Sequence, residues 1–414
     1  MIRIIEPRDR EIAPCSPPFC RSLFAMPLKL SQIQEILNAK RDEFAAFNQE
    51  TWKQLQNYRS VLENLSAAGE AEIQQRSIKY PVNLGVRLLE PLEQATCGVI
   101  PSRLVWQSKE QSLAWVRQRL TGITTFAVDG SQIYPGKDLS IPIALVQIGW
   151  FENPHLPTGE YEKDIALDVM TPSDLQVGNS GDPVDRRVNM RRFQMETERL
   201  IDYIKSHPKA KDCLVFLDGS LIATFAEAFE AQSRRFYVEC LLDLLATSQK
   251  YEVPLVAYID TSYAQDLSVM LRTLYDLPAS QSIHDAQLLN KYMEWGDRTP
   301  LFRCQRSGIL SEYEDHADQI AFTYLKTNRD SYPARLEMPL WVYKAGLLDR
   351  VIDWVRGEVI IGSGYPYVIE TADQTAVLQA ADRQAFFKIL QDWAEEEELN
   401  LHFSRKMVSK VRRR

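Results

Sequence analysis

The chain has 414 residues, 45% of them hydrophobic and 25% charged, with a formal net charge of −8. This acidic balance argues against a basic protein that wraps nucleic acid, but not against an enzyme that cuts it, because a cluster of metal-binding carboxylates is itself acidic. No apolar run reaches membrane-spanning length, and six scattered cysteines without a disulfide framework fit a reducing cytoplasm.

Asp9, Arg10 and Glu11 interrupt the stretch where a secretory signal would need its hydrophobic region. Residues 1–25 are therefore expected to be a disordered extension upstream of Met26. Residues 26–120 read as an N-terminal helical region. From about 30 to 66 there is no Gly or Pro, and Ile33, Ile36, Leu37, Phe44, Phe47, Trp52 and Leu55 recur at helical spacing. This predicts a long amphipathic helix or helical hairpin, used either for self-association or for packing on its own domain. Residues 80–120 read as shorter helices, the last starting at Ser108.

The core domain is expected over 121–398. Strands at 123–128, 141–151 and 164–170 follow one another with no helix between, which makes them antiparallel neighbours. A Gly, Asp and Pro-rich loop (172–185) leads to a helix at 186–206. A strand at 213–217, a helix at 222–249, a strand at 253–259 and a helix at 264–276 come next. Residues 280–345 read as an insertion that extends the sheet, with a helix near 285–294 and strands at 320–325 and 335–342. A helix at 344–356, a short strand at 358–361 and a closing helix at 370–398 complete the domain. A basic tail, 399–414, follows the acidic run Glu395–Glu398.

One phrase occurs twice: Asp129-Gly130-Ser131 and Asp218-Gly219-Ser220. Each closes an apolar run, and each reads as a strand that stops at an aspartate before a glycine turn. One copy is ordinary turn chemistry. Two such strands side by side would bring two carboxylates to one cation. Between them lies a helix whose apolar stripe, Phe193, Leu200 and Ile204, includes Glu196. A buried glutamate needs a partner, either a cation or Arg192 or Arg199. Glu198, on the opposite side, is the alternative. Asp373 faces inward on the closing helix, and Asp260 ends the 253–259 strand. Oxygen ligands without a Cys or His cluster point to Mn²⁺ or Mg²⁺, and two such ions about 4 Å apart suit phosphodiester hydrolysis. Arg187, Arg191 and Arg192, with Arg186, form a basic patch for DNA phosphates.

The strand and helix order is that of a ribonuclease H-like fold, an α/β architecture with a mixed five-stranded core sheet flanked by helices. In that fold the first and fourth strands are adjacent and parallel. Over residues 120–390 the chain resembles the NurA family of DNA-repair nucleases. The resemblance is carried by Val128-Asp-Gly-Ser131, the helix with Arg192 and Glu196, Leu217-Asp-Gly-Ser-Leu221, Arg335-Leu-Glu-Met-Pro339 and Gly364-Tyr-Pro-Tyr367.

The resemblance implies Mn²⁺-dependent 5′→3′ exonuclease and single-strand endonuclease activity in the processing of double-strand break ends. It also implies a homodimer with a central channel and a HerA-like hexameric ATPase as partner. Carried over by position, Asp129, Glu196 and Asp218 are metal ligands and Tyr365 is an active-site residue. Where the family often has a histidine eight positions after that tyrosine, this chain has Asp373, which can hold a hard cation but cannot take a histidine's role. The competing readings are an adaptor with a weakened nuclease core that docks the ATPase, and a phosphatase. The latter lacks its second aspartate, because Ser131 stands there.

Overall fold

A computed structural model describes residues 28–402 except 69, 80–83, 92–94, 96, 137–138, 177–182, 281 and 400. The expected extension at 1–25 and the basic tail beyond 402 lie outside the described residues. The chain divides into two units, Met1–Trp52 and Lys53–Arg414. The described part of the first holds α1 (Leu30–Ala39) and the start of α2 (Arg41–Ala68). The long helix expected from about residue 30 is broken at Lys40, which caps α1. Ile33, Ile36, Leu37, Phe44, Phe47 and Trp52 are all exposed.

In the second unit, the rest of α2 buries Leu55, Tyr58, Leu62 and Leu65 at spacings of three and four residues. It continues through α3 (Glu70–Ser77), β1 (Gly85–Leu88), α4 (Lys109–Leu120), β2 (Thr124–Ile133), β3 (Ala144–Asn153), β4 (Glu162–Met170), α5 (Pro172–Gln176) and α6 (Val184–Ser206). Next come β5 (Cys213–Asp218), α7 (Ala231–Tyr251), β6 (Leu255–Ile259), α8 (Asp266–Tyr275), α9 (Asp285–Leu289), β7 (Phe302–Gln305), β8 (Ile320–Leu325) and β9 (Ala334–Pro339). The helices α10 (Leu340–Lys344), α11 (Leu348–Ile361), α12 (Tyr367–Ala376) and α13 (Ala380–Glu396) end it.

All the strands join one sheet in the order β1-β7-β8-β9-β6-β5-β2-β3-β4. The segment β4-β3-β2-β5-β6 is the ribonuclease H-like core. Its β2–β5 and β5–β6 pairs are parallel and its β2–β3 and β3–β4 pairs antiparallel. The insertion extends this core beyond β6 through β9, β8 and β7. β1, from the stretch expected to hold only short helices, closes that edge by pairing with β7. Alternation along the strands feeds two apolar layers. Phe126, Val128, Val215 and Leu217 face α6 and α7, whereas Ala127, Leu214 and Phe216 face α11 and α12.

Three further differences from the sequence reading have physical causes. Residues 358–361 are the last turn of α11, not a strand. Leu348, Val351, Ile352, Val355 and Val359 are buried at spacings of three and four residues, so the segment keeps a helical period and carries no strand alternation. The closing helix is two helices, broken where Val377 leaves helical geometry. β2 does not stop at Asp129 but runs on to Ile133, paired with β3 throughout.

Candidate active site

Asp129 and Asp218 meet because of strand register. Val128 of β2 lies opposite Leu217 of β5 in the parallel pair, so the next residue on each strand is an aspartate. Equivalent positions on neighbouring strands lie about 5 Å apart with side chains on the same face. The two copies of the phrase then diverge. After Asp218 the chain turns at Gly219, whose φ is +129°. Gly130 stays in the strand, and its requirement is space. A Cβ there would run into Glu196 Oε1 and sit 2.7 Å from Arg192 Cγ.

The serines of the phrase serve the scaffold. Ser131 Oγ donates to the Ala376 carbonyl at the end of α12, which also accepts from Gln147 Nε2 at 2.8 Å. Gly149 lets α12 lie directly on the sheet, since a Cβ would meet Ala376 N at 2.6 Å. Ser220 Oγ and Leu221 N both donate to Glu337 Oε2 at 2.8 Å. Glu337 in turn accepts at 2.7 Å from Arg335, which is buried between it and Asp266. The turn after Asp218 is thereby fixed from β9.

α12 carries Asp373 over the ends of β2 and β5. Tyr365, just before it, follows a tight turn in which Ser363 and Gly364 both have positive φ (57° and 123°). Its hydroxyl donates to Asp218 Oδ1 at 3.1 Å. A cavity of about 540 Å³ opens here, lined by Asp129, Asp218, Asp260, Tyr365, Glu370 and Asp373 among others. Asp260, which the sequence left as a loop aspartate, belongs to this group because β6 ends beside β5. Glu358 also escaped sequence reasoning. Buried in α11, it accepts from Thr125 Oγ1 and from Val368 N, pinning the start of β2 to the start of α12.

Glu196 reaches the site from the other side of the sheet, on α6, and does not line that cavity. Its side chain is 13% exposed, and Arg192 Nε lies 3.4 Å from Oε1. Neither of those two buried atoms makes a hydrogen bond. Glu198, the alternative, is half exposed and bonds Gln194 and Arg191 on the outer surface. Burial pushes the Glu196 carboxyl up to about 8, with Arg192 opposing and Asp129 and Asp218 adding to the rise. Asp129 is pushed up to about 6 by burial and by Asp373 and Asp218, against the Gly130 amide that it accepts from. Burial also raises Asp218, the Tyr365 hydrogen bond opposing and Asp373 and Asp260 adding repulsion. These are acids short of positive charge.

Among the described residues, no three of the His, Cys, Asp or Glu side chains converge as they stand to grip one ion. The donor set nonetheless fits a hard cation: carboxylates from four elements (β2, β5, α6 and α12), mutually repelling, with one buried oxygen, Glu196 Oε1, left unpartnered. Of the basic patch, Arg191 pairs with Asp168 at 2.6 Å, Arg192 donates to the Gly130 carbonyl, and Arg187 is half-buried.

A ribonuclease H-like sheet with acids gathered at the ends of its central parallel strands is the build of a nuclease-type domain. The family model of the NurA domain matches residues 123–378, and the chain belongs to the NurA family. Among solved structures, the chain is similar to a crystal structure of NurA (10% identity, 70% of this chain and 98% of that one, TM-score 0.40). It is also similar to the catalytic domain of human endonuclease V (12%, 68% and 96%, 0.32) and to NurA bound to dAMP and manganese (11%, 63% and 86%, 0.32). No curated protein sequence matches it. Among the described residues, no helix is long and apolar enough to cross a membrane.

Proposed function

We propose that this protein is a divalent-metal-dependent deoxyribonuclease acting in the processing of double-strand break ends, as a 5′→3′ exonuclease and single-strand endonuclease. The observation that carries the reading is the register that sets Asp129 beside Asp218, with Glu196 Oε1 held unpartnered behind Gly130. Asp129, Glu196, Asp218 and Asp373 are the residues that would hold Mn²⁺ or Mg²⁺, two ions in the proposal. Such ions supply Lewis-acid activation of water and stabilisation of the leaving oxygen.

The chain's own groups do the positioning. Tyr365 fixes the Asp218 rotamer through its hydroxyl. Glu337 fixes the turn behind it, and Arg192 braces Gly130 and balances part of the Glu196 charge. Phosphate contact is assigned to Arg187, Arg191 and Arg192. Membership of the NurA family supports a homodimer, a HerA-like hexameric ATPase as partner and a cytoplasmic setting for DNA repair.

The test is cleavage of end-labelled linear DNA with Mn²⁺. Wild type is expected to cut, chelation to abolish cutting, and Asp129→Ala and Asp218→Ala each to lower the rate at least a hundredfold, about 3 kcal/mol of barrier. Wild type inert with every divalent ion would leave the adaptor reading in its place. Cutting that survives both substitutions would remove the site.

A further inference from the structure

Beside the carboxylate cavity lies a second cleft of about 490 Å³, and the two share Asn328, Ser363 and Gly364 as a common rim. Their linings differ in kind. The first presents five acids: Asp129, Asp218, Asp260, Glu370 and Asp373. The second has no acid among its lining residues and is built around Trp106 and Trp295, with Arg329 at its edge.

Trp295 is held in place, its Nε1 donating to the Thr327 carbonyl at 2.9 Å. Trp106 meets it edge-on, with centroids 5.2 Å apart and planes at 61°, and leans on Trp115 at 5.6 Å on its other side. Both lining tryptophans remain half-buried, so each keeps accessible ring surface. Arg329 is exposed and makes no ion pair among the described residues. Asn328 is exposed too, with its Nδ2 turned towards Gly364.

We infer that this cleft is a nucleobase-stacking subsite for an unpaired strand whose phosphate lies in the carboxylate cavity. The inference rests on the nuclease reading and deepens it by naming what the site selects. The occupant follows from three features together. Fixed aromatic rings offer π-faces that any base can stack on. A free guanidinium at the rim offers a partner for the next phosphate. Continuity with the acidic cavity through a shared rim lets one strand occupy both clefts. A base inside a duplex is already stacked on both faces and has none to give, so the cleft favours single-stranded ends, loops and flaps over paired DNA.

Binding is measured on the full chain by fluorescence anisotropy with Ca²⁺, a hard oxygen-ligated cation that offsets the five acids, and the probe's length is checked after each titration. The probes are a short single strand and an abasic strand of the same length. Wild type is expected to bind the intact strand about fivefold or more tightly than the abasic one, the range typical of one base stacked on an aromatic side chain. Trp106→Ala is expected to erase that preference and Trp106→Phe to retain most of it, with tryptophan emission quenched as the intact strand binds.

Equal binding of intact and abasic strands by wild type overturns the proposal, and that comparison needs no variant to fold. A preference that persists in Trp106→Ala also overturns it. The two readings fail separately. Cleavage of DNA with no preference for intact strands sinks this subsite alone. A Trp106-dependent preference in a protein that cuts nothing sinks the nuclease reading and leaves the subsite.

Discussion

Gly130 and Gly219 occupy the same place in a repeated phrase and are glycine for different reasons. At Gly219 the backbone needs φ = +129°, and an added Cβ would meet nothing within 4 Å. At Gly130 the backbone is ordinary strand, and the Cβ would collide with the Glu196 carboxylate. Gly130→Ala is therefore expected to cost roughly 1–3 kcal/mol by overpacking and to push Glu196 off the site. Urea unfolding gives the first quantity. Mn²⁺ titration by calorimetry gives the second, expected as weaker binding, and unchanged affinity would show that Glu196 takes no part. The sequence showed that both glycines follow an aspartate. Which of them turned could not be read there, because it depends on β3 pairing with β2 as far as Ile133. The second prediction at this scale concerns Glu337. Glu337→Gln leaves Arg335 buried with one of its two carboxylate partners gone, and is expected to lose about 3–5 kcal/mol of stability. Ser220→Ala, which removes one neutral donor, is expected to lose about 1 kcal/mol. Equal costs for the two in urea would deny the ion pair its place in holding the turn.

Elements differed in how far they could be read from the chain. β2, β3, β5 and β6 were legible because each is an apolar run bounded by turn residues, and β4 because Ile165, Leu167 and Val169 alternate with other residues, with helices only where a parallel crossover needs them. The short strands β1 and β7 have four residues each, too few to show alternation; β1 is held by pairing with β7, and β7 lies between β1 and β8. The 358–361 segment misread as a strand because a buried helix and a buried strand give the same apolar run. The stripe on α6 was read correctly for Glu196 because three apolar neighbours fixed its phase, whereas Glu337 and Glu358 had no comparable sign. Of the partners they accept from, Ser220, Leu221 and Thr125 lie more than a hundred residues away in the chain and Val368 lies on the next helix. α12 is the element on which Asp373 depends, and its last turn is tied to β2 by Ser131 and to β3 by Gln147. Ser131→Ala is expected to cost about 1 kcal/mol globally. It should also speed amide hydrogen exchange in 372–376 more than in α11, and uniform exchange across both helices would show that Ser131 does not anchor α12.

At the scale of the sheet and its layers, a histidine–glutamate contact joins the end of β3 to α11. His155, just after β3, faces an acceptor at each ring nitrogen: its Nδ1 lies 2.7 Å from the Ile123 carbonyl and its Nε2 lies 3.1 Å from Glu358 Oε1. A carbonyl can only accept, so Nδ1 carries a proton. Nε2 must carry the other for its approach to a carboxylate to be favourable. Burial alone would lower the imidazole's pKa, but Glu358 and the Ile123 carbonyl outweigh it, and the net direction is up. Because the folded value exceeds the unfolded one, near 6.5, this stabilisation is fully present below that pH and is lost as pH rises through the folded value. Glu358 also holds Thr125 and Val368, so loss of the imidazolium loosens β2 and α12 together, the two elements that carry Asp129 and Asp373. Unfolding free energy from urea is expected to decline as pH rises above about 6.5 in wild type. In His155→Gln, which keeps a donor but cannot ionise, that decline should flatten. A wild-type profile level over this range, or a variant profile with the same slope, would place the pH dependence elsewhere in the molecule.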